Sequence, residues 1–139
     1  MAVQILQISP TELFEYAKIP MSFKVCSKFD VELLDDGLSG IQFRELSVEP
    51  YIKDYDELKD GTPADWQTRF DITNWGLFLA RDGENPIAGA AVAFNTPGAH
   101  MLDGRNDLAV LWDLRVHPNH RGFGLGTRLF QKAAEWAKK

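Results

Sequence analysis

One segment of the chain runs from an apolar stretch through a glycine-rich turn into an amphipathic stretch. Residues 113–127 are Asp-Leu-Arg-Val-His-Pro-Asn-His-Arg-Gly-Phe-Gly-Leu-Gly-Thr. Apolar residues before the turn predict a strand, and helical spacing after it predicts a helix. The first amides of such a helix lack internal partners and carry the positive end of its dipole. Because three glycines let a ligand approach these amides, the segment predicts a phosphate or pyrophosphate site.

The glycine spacing excludes two common nucleotide-binding motifs. A P-loop requires a lysine directly before the Ser or Thr of the helix, and no lysine precedes Thr127. A dinucleotide fingerprint places its third glycine three residues after the second, whereas Gly126 follows Gly124 by two. What remains is Arg-x-x-Gly-x-Gly, beginning at Arg121, with Arg128 adding a further positive charge.

This spacing resembles the pyrophosphate-binding motif of the GNAT superfamily of acyl-CoA N-acyltransferases. The lead-in Leu-x-Val-x-Pro-x-x-Arg at residues 114–121 is similar to the same family. Residues 29–33 and 47–55, together with Asp107-Leu108-Ala109, resemble the streptothricin acetyltransferase group, whereas residues 61–74 and 96–106 do not. The resemblance implies an α+β fold, with a mixed, mostly antiparallel sheet flanked by helices, in a single domain over residues 1–139.

The resemblance also implies that acetyl-CoA is the cosubstrate and that no metal is required. The cosubstrate would lie in a V between two strands, with its pantetheine arm paired to the backbone of Leu114 and Val116. The Val116 N–H would stabilise the oxyanion that forms when an amine attacks the acetyl carbonyl directly, without an acyl-enzyme. The implied cofactor-binding residues are Leu114, Arg115, Val116, Arg121, Gly122, Phe123, Gly124, Leu125, Gly126 and Thr127.

An attacking amine must lose a proton, and two carboxylates are candidates for the general base. Asp113 lies on the same predicted strand as Val116, and Asp107 is the second choice. Strand alternation puts Asp113 and Val116 on opposite faces unless a bulge intervenes. The alternative is that Asp113 forms an ion pair with Arg115 or Arg105.

Charge is distributed unevenly along the chain. Residues 30–60 hold ten acids and three bases, a net charge of −7, whereas residues 113–139 hold two acids and six bases, a net charge of +4. The first stretch suits a cationic acceptor, and the second an anion. Tyr51, Asp54, Tyr55 and Asp56 are candidates for binding the acceptor, or else form a solvated loop.

Other residues allow two interpretations as well. Trp66, Trp75 and Trp112 either line an acceptor pocket or pack in the core, which is the usual role of tryptophan. His117 and His120 are three residues apart, but no further ligand accompanies them, so we interpret them as surface residues and predict no metal site. Cys26, the one cysteine, is expected to be a small buried apolar residue.

The strand and helix signals give the order β-α-β-β-α-β-β-β-α. Strands are predicted at 3–8, 23–29, 41–48, 75–80, 87–94 and 107–116, with the third ended by Pro50. A short helix begins at the capping box of Ser9 and Glu12, one or two helical turns fall within residues 63–70, and a helix covers 127–139.

These features predict an N-acetyltransferase that acts on a primary amine of a small cationic molecule. The alternatives are a catalytically silent CoA-binding or interaction module and a peptide or protein N-acetyltransferase. The net charge of −5 argues against nucleic acid as a partner, and the absence of a long apolar segment argues against a membrane. A cytoplasmic location is the default expectation.

The resemblance further implies that this chain lacks the family's C-terminal strands and the tyrosine usual there. Three explanations are open: a C-terminal truncation, which we favour, a minimal relative, or a second chain that supplies the missing wall of the V. We therefore expect the strand at 107–116 to have an open edge, the chain to self-associate as a dimer, and turnover to be weak.

Overall fold

The computed structural model describes residues 3–57 and 62–139, which divide into two compact units. The larger unit comprises residues up to Met21 and from Tyr55 to Lys139, and the smaller is the hairpin Ser22–Asp54. The strands are β1 (Val3–Ile8), β2 (Ser22–Leu33), β3 (Ile41–Asp54), β4 (Gly76–Asp82), β5 (Asn85–Phe94) and β6 (Ala109–Val116), and the helices are α1 (Leu13–Tyr16), α2 (Trp66–Arg69) and α3 (Leu125–Ala137).

The larger unit is built on a four-stranded antiparallel sheet in the order β1-β4-β5-β6. Alternation along β4 sends Leu77 and Leu79 to one face and Phe78 and Ala80 to the other. The first face packs against α1 and α2, and the second packs against α3. This α+β architecture with a mostly antiparallel sheet confirms the predicted fold class.

A bulge in β6 decides which of its side chains face which core. The register with β5 shifts between Ala91 and Val92, so Trp112 is an extra residue in β6. Before the shift, Trp112 packs on the α1 and α2 side, and after it Leu114 and Val116 pack on the α3 side. The bulge precedes Asp113, so Asp113 and Val116 lie on opposite faces, as strand alternation predicts.

Local sequence signals account for the short first helix. The Ser9 N–H donates to the Glu12 carboxylate at 3.2 Å, as the capping box predicts. The α-helical part, α1, ends at Tyr16, before Pro20. Its Tyr16 side chain is fully buried against the sheet.

The hairpin unit consists of β2 and β3, and it corrects two expectations. Pro50 was expected to end β3, but the strand continues to Asp54 because Pro50 lies at an irregularity, where the register shifts between Val25 and Ser27. A proline is tolerated there, since a bulged residue needs no ladder hydrogen bond. Cys26 lies opposite the same irregularity and is exposed, so the prediction that it is buried was wrong.

Two further observations complete the comparison with the sequence. Helix α3 covers Leu125–Ala137, close to the predicted 127–139, and buries Leu129 and Ala133 on its inner face. None of the helices in the described part of the chain is long and apolar enough to span a bilayer. The expectation of a single domain over 1–139 stays a prediction.

Candidate functional site

Strand β6 lies at the end of the four-stranded sheet, and its outer edge has no strand partner among the described residues. The His117 N–H donates to the Ile87 carbonyl at 2.7 Å, so these two residues form a hydrogen-bonded pair. In an antiparallel ladder such pairs alternate with pairs whose N–H and C=O groups point outward. Val116, opposite Ala88, and Leu114, opposite Ala90, are outward-pointing residues of this kind.

The outward direction of Val116 is supported by a second contact. Its carbonyl oxygen accepts a hydrogen bond from Arg121 Nε at 2.9 Å. This bond fixes the Arg121 guanidinium beside the strand edge, at the start of the glycine-rich turn. The site thus presents a backbone N–H at Val116 and a positive charge within a few residues of it.

The glycine-rich turn depends on two left-handed residues. Gly122 has a φ of 86° and Gly124 a φ of 84°, a conformation that L side chains rarely adopt. A Cβ built on either glycine meets no other atom within 4 Å, so the space above the turn is open. Phe123, between them, is 73% exposed and leaves that space clear. These glycines therefore both form the turn and leave room for a ligand.

Helix α3 begins directly after this turn with its first amides unused. Gly124 is the N-cap residue, and it has no side chain to cap the helix. The first helical hydrogen bond runs from the Arg128 N–H to the Gly124 carbonyl at 3.1 Å, so the amides of Leu125, Gly126 and Thr127 have no helical acceptors. No acidic residue lies in the described first turn. An anion fits this uncapped, positively polarised end.

Arg115 lies on the opposite face of β6, where all five of its N–H donors are used. Its side chain is 1% exposed and forms ion pairs with Asp113 and Asp56. Nε and Nη2 donate to the Asp113 carboxylate at 2.8 and 3.0 Å, and Nη1 and Nη2 donate to Asp56 at 2.9 and 3.1 Å. Nη1 also donates to the Ile19 carbonyl at 2.9 Å. The Arg115 side chain is therefore fully engaged, and by the alternation along β6 its backbone pairs with Gly89 of β5. The geometry therefore gives no support to the cofactor role that the resemblance implied for Arg115.

A buried tyrosine completes this network. Tyr16 donates its hydroxyl to Asp113 Oδ2 at 2.5 Å, and its ring lies 5.5 Å from the Arg115 guanidinium carbon. Burial and then the nearby Asp113 charge raise the pKa of Tyr16 well above its usual range. Burial disfavours the Arg115 cation, but hydrogen bonds with Asp113 and Asp56 outweigh it and raise the pKa of Arg115.

These contacts bear on both candidate bases. Asp113 accepts three hydrogen bonds, which leaves it little capacity to take a proton from an amine, so the geometry favours the ion-pair alternative. Asp107 is held by Arg105 at 2.7 and 2.8 Å, and this bond lowers the pKa of Asp107. A lowered pKa makes Asp107 a weaker base. Sequence reasoning considered Arg105 as a partner for Asp113, but Arg105 pairs with Asp107 instead.

The acceptor candidates are divided between the two units. Tyr51 and Asp54 belong to β3 of the hairpin, whereas Tyr55 and Asp56 form part of the larger unit. Both carboxylate oxygens of Asp56 accept from Arg115, so Asp56 has a structural partner that the sequence did not reveal. Tyr51 lies in a strand, which corrects the alternative of a solvated loop for this residue.

The tryptophans pack in the core on the α1 and α2 side. Ring centroids of Trp75 lie 5.7 Å from Trp66 and 5.4 Å from Trp112, and Phe70 joins the same group. Trp75 Nε1 donates to Thr96 Oγ1 at 2.7 Å, which satisfies the buried indole. The core-packing interpretation therefore holds, and a tryptophan-lined acceptor pocket does not.

His117 precedes a short 3₁₀ turn, and His120 is the last residue of that turn. His117 Nδ1 accepts from the Asn119 N–H at 3.1 Å, and the two imidazole centroids are 5.6 Å apart. Within residues 3–57 and 62–139, no three His, Cys, Asp or Glu side chains lie close enough to hold a metal ion.

Comparisons with known proteins agree with this geometry. A family model described as the acetyltransferase (GNAT) family matches residues 41–139. A crystal structure of a putative streptothricin acetyltransferase from Bacillus anthracis, in complex with acetyl coenzyme A, is similar at a TM-score of 0.63 and 23% identity, over 99% of this chain and 69% of that one. A nourseothricin acetyltransferase structure is similar at a TM-score of 0.65 and 23% identity, over 99% and 68%. No curated protein sequence matches this chain closely.

The family match covers well over half of the chain, so the chain belongs to the GNAT acetyltransferase family. Members of this family are acetyl-CoA-dependent N-acetyltransferases, which confirms the enzyme class and the cosubstrate expected from the sequence. At 23% identity, the two solved structures establish the likeness of fold alone.

Proposed function

We propose that this chain transfers the acetyl group of acetyl-CoA to a primary amine of a small cationic molecule, of the aminoglycoside, streptothricin or polyamine type. The observation that carries the proposal is an open strand edge at Leu114 and Val116, continuous with the uncapped start of α3. A cytoplasmic location forms part of the proposal.

The start of α3 suits the pyrophosphate of acetyl-CoA, and the open edge of β6 suits its pantetheine arm. The amides of residues 124–127, together with Arg121 and Arg128, provide donors and positive charge for the pyrophosphate. The outward N–H and C=O groups of Leu114 and the N–H of Val116 provide backbone hydrogen bonds for the amide-containing pantetheine arm, in the manner of an added strand. Acetyl-CoA bound in the Bacillus anthracis structure supports this assignment.

The Val116 N–H is proposed to act on the acetyl carbonyl. When the neutral amine attacks, a C–N bond forms and negative charge develops on the carbonyl oxygen. The C–S bond then breaks, the nitrogen gives up a proton through solvent, and CoA leaves as a thiolate that takes up a proton. A backbone donor aimed at that oxygen lowers the barrier by about 2.7–4 kcal/mol in acyl-transfer enzymes. The Val116 N–H belongs to the peptide that it shares with the Arg115 carbonyl, and this peptide is held in the sheet because Arg115 pairs with Gly89 of β5.

The proton on the incoming ammonium requires a separate acceptor. Asp113 and Asp107 are both engaged by arginines, so we assign neither as the base and propose that solvent water takes the proton. This predicts turnover that rises with pH as more of the acceptor amine becomes neutral.

A cationic acceptor is supported by charge. Residues 30–60 carry the net charge of −7, and three of the four acceptor candidates lie in or directly after β3: Tyr51, Asp54 and Tyr55. Carboxylates attract an ammonium, and phenol rings bind cations over their faces.

The proposal is tested by an acetyl-transfer screen that follows release of the CoA thiol. The panel contains cationic amines (a polyamine, an aminoglycoside and a streptothricin) and neutral and acidic amines of similar size. We expect the cationic amines to react fastest. A screen in which only neutral or acidic amines react would contradict the acceptor class.

A silent CoA-binding module is the second candidate, and it is favoured by the occupation of both candidate bases. It predicts that acetyl-CoA binds and that no member of the panel is acetylated. Thiol release and calorimetric binding, measured on the same sample, separate the two candidates.

A further inference from the structure

The hairpin unit has one strongly apolar face and one charged face. Cross-strand pairing places Leu33 opposite Ile41 and Val31 opposite Phe43, with Phe29 next along β2. These five residues point to the same face, since they alternate along the two strands. We call them the apolar hairpin face. Each is between 56% and 66% exposed.

The opposite face of the hairpin is suited to water. Asp30 is paired with Arg44 across the strands, and Glu32 forms an ion pair with Arg44 at 3.2 Å. Apolar and charged side chains are therefore separated onto opposite faces of strands 12 and 14 residues long. Apolar residues exposed at random positions would not form such a face. A lone two-stranded hairpin is at best marginally stable in water.

We propose that the apolar hairpin face is a dimer interface that packs against the same face of a second copy of this chain. If each of the five side chains contributes on the order of 100 Å², the face measures roughly 500 Å². Two copies would then bury about 1,000 Å² in total, which reaches the threshold of a specific interface. The proposal is independent of the acetyltransferase activity, since it uses only residues of the hairpin.

Chemistry favours a second copy over other occupants. The hairpin unit holds seven acids and four bases, so an anionic membrane or a nucleic acid would be repelled. One carboxylate lies at the end of the apolar hairpin face: Glu45, opposite Phe29, which accepts a hydrogen bond from Ser27 Oγ at 2.7 Å. The rest of the face offers a partner apolar contact alone. A two-stranded ribbon fits an identical ribbon in aligned face-to-face packing, about 10 Å apart, with a two-fold axis near the Val31–Phe43 pair.

The interface contains an aromatic pair that is a natural anchor. The rings of Phe29 and Phe43 lie edge to face with centroids 6.4 Å apart. Aromatic residues dominate the binding energy of interfaces of this size. Removing both rings in both copies is therefore expected to weaken the dimer at least about 100-fold.

Light scattering coupled to size exclusion tests the proposal on the whole chain. The wild type is expected at twice its 15.7 kDa mass, and the double variant Phe29→Ser, Phe43→Ser at the monomer mass. The matched control, Glu32→Ala with Arg44→Ala on the charged face, should remain a dimer. A monomeric wild type would overturn the proposal, and so would a double variant that is still dimeric, because the contact would then use another surface.

Chemical cross-linking tests the same face without disturbing its packing. In a Cys26→Ser background, Val31→Cys is expected to give a covalent dimer with a bismaleimide that spans about 10 Å. Glu32→Cys, one residue along the strand and on the opposite face, should not. Equal cross-linking at both positions would contradict a specific face-to-face contact. Acetyl-CoA binding measured on each variant reports whether the larger unit is still folded.

Discussion

Replacing Arg115 by methionine retains much of the side-chain length and removes all five N–H donors. Asp113, Asp56 and the Ile19 carbonyl would then lose their partners while remaining inside the structure. The two carboxylate side chains are 12% and 20% exposed, so neither regains full hydration. Removing one partner of a buried ion pair costs about 3–5 kcal/mol. The partial exposure places the expected loss near the lower figure, about 3 kcal/mol.

Urea denaturation at neutral pH measures this loss, and Arg105→Met is its matched control. Arg105 also forms a bidentate pair with an aspartate, Asp107, but the two side chains are 53% and 63% exposed. An exposed pair contributes about 0–1 kcal/mol. Equal losses in the two variants, or a loss below about 1 kcal/mol for Arg115→Met, would refute the reasoning that burial makes this network important.

Three further predictions follow from particular contacts. The pKa of Tyr16 is raised above its ordinary value of 10.0, so as the pH rises the unfolded chain releases the hydroxyl proton before the folded chain does. The stability that the neutral hydroxyl contributes is therefore present below pH 10 and is lost as the pH rises beyond it. Tyr16→Phe should flatten this alkaline loss of stability in denaturation curves. Gly89→Ala places a Cβ 2.4 Å from the Tyr16 ring and should cost about 1–3 kcal/mol, whereas Gly126→Ala, with 3.8 Å to the nearest atom, should leave the melting temperature unchanged or higher. Asp54→Asn should raise the acceptor KM about threefold or more at low salt, with unchanged acetyl-CoA affinity; an effect that is independent of salt would contradict an electrostatic role.

The sequence predicted the elements whose signals are local. The capping box at Ser9 and Glu12, the apolar runs of β4 and β5 and the glycine spacing from 122 to 126 all depend on neighbours within a few residues. These features were sufficient for the fold class and for the glycine turn that precedes α3. The edge position of β6 also agrees with the expectation, and it rests on strand order, which the family resemblance supplied.

The contacts around Arg115 were not predictable in the same way. Tyr16 and Asp56 are 97 and 59 residues away along the chain from their partners Asp113 and Arg115, and no periodicity connects them. One signal was available: Asp113 and Arg115 are two apart on a strand, so they share a face and can pair. That signal identified the ion pair as an alternative but gave no indication of its burial or of its other members.

The positions of the bulges could not be predicted, for a physical reason. Alternation assumes one residue per position, so a single extra residue reverses the face of everything after it. In β6 the side chain of the extra residue, Trp112, packs on the α1 side of the sheet, and the side chains that pack on the α3 side follow it. In the hairpin, the irregularity near Pro50 lets β3 continue to Asp54. A pattern-based interpretation places a strand end where the structure places a bulge.

The central claim, that acetyl-CoA binds at the glycine turn, is tested most directly by calorimetry on Gly124→Ala. The matched control is Gly98→Ala, since Gly98 has a φ of 88° against 84° for Gly124 and a Cβ at either position meets no atom within 4 Å. Both substitutions place a Cβ on a residue with nearly the same left-handed φ, but only the first adds a methyl group above the helix amides. We predict that acetyl-CoA binds the wild type and Gly98→Ala equally and binds Gly124→Ala at least about tenfold more weakly. Unchanged affinity in a folded Gly124→Ala, or no binding to the wild type, would contradict the account.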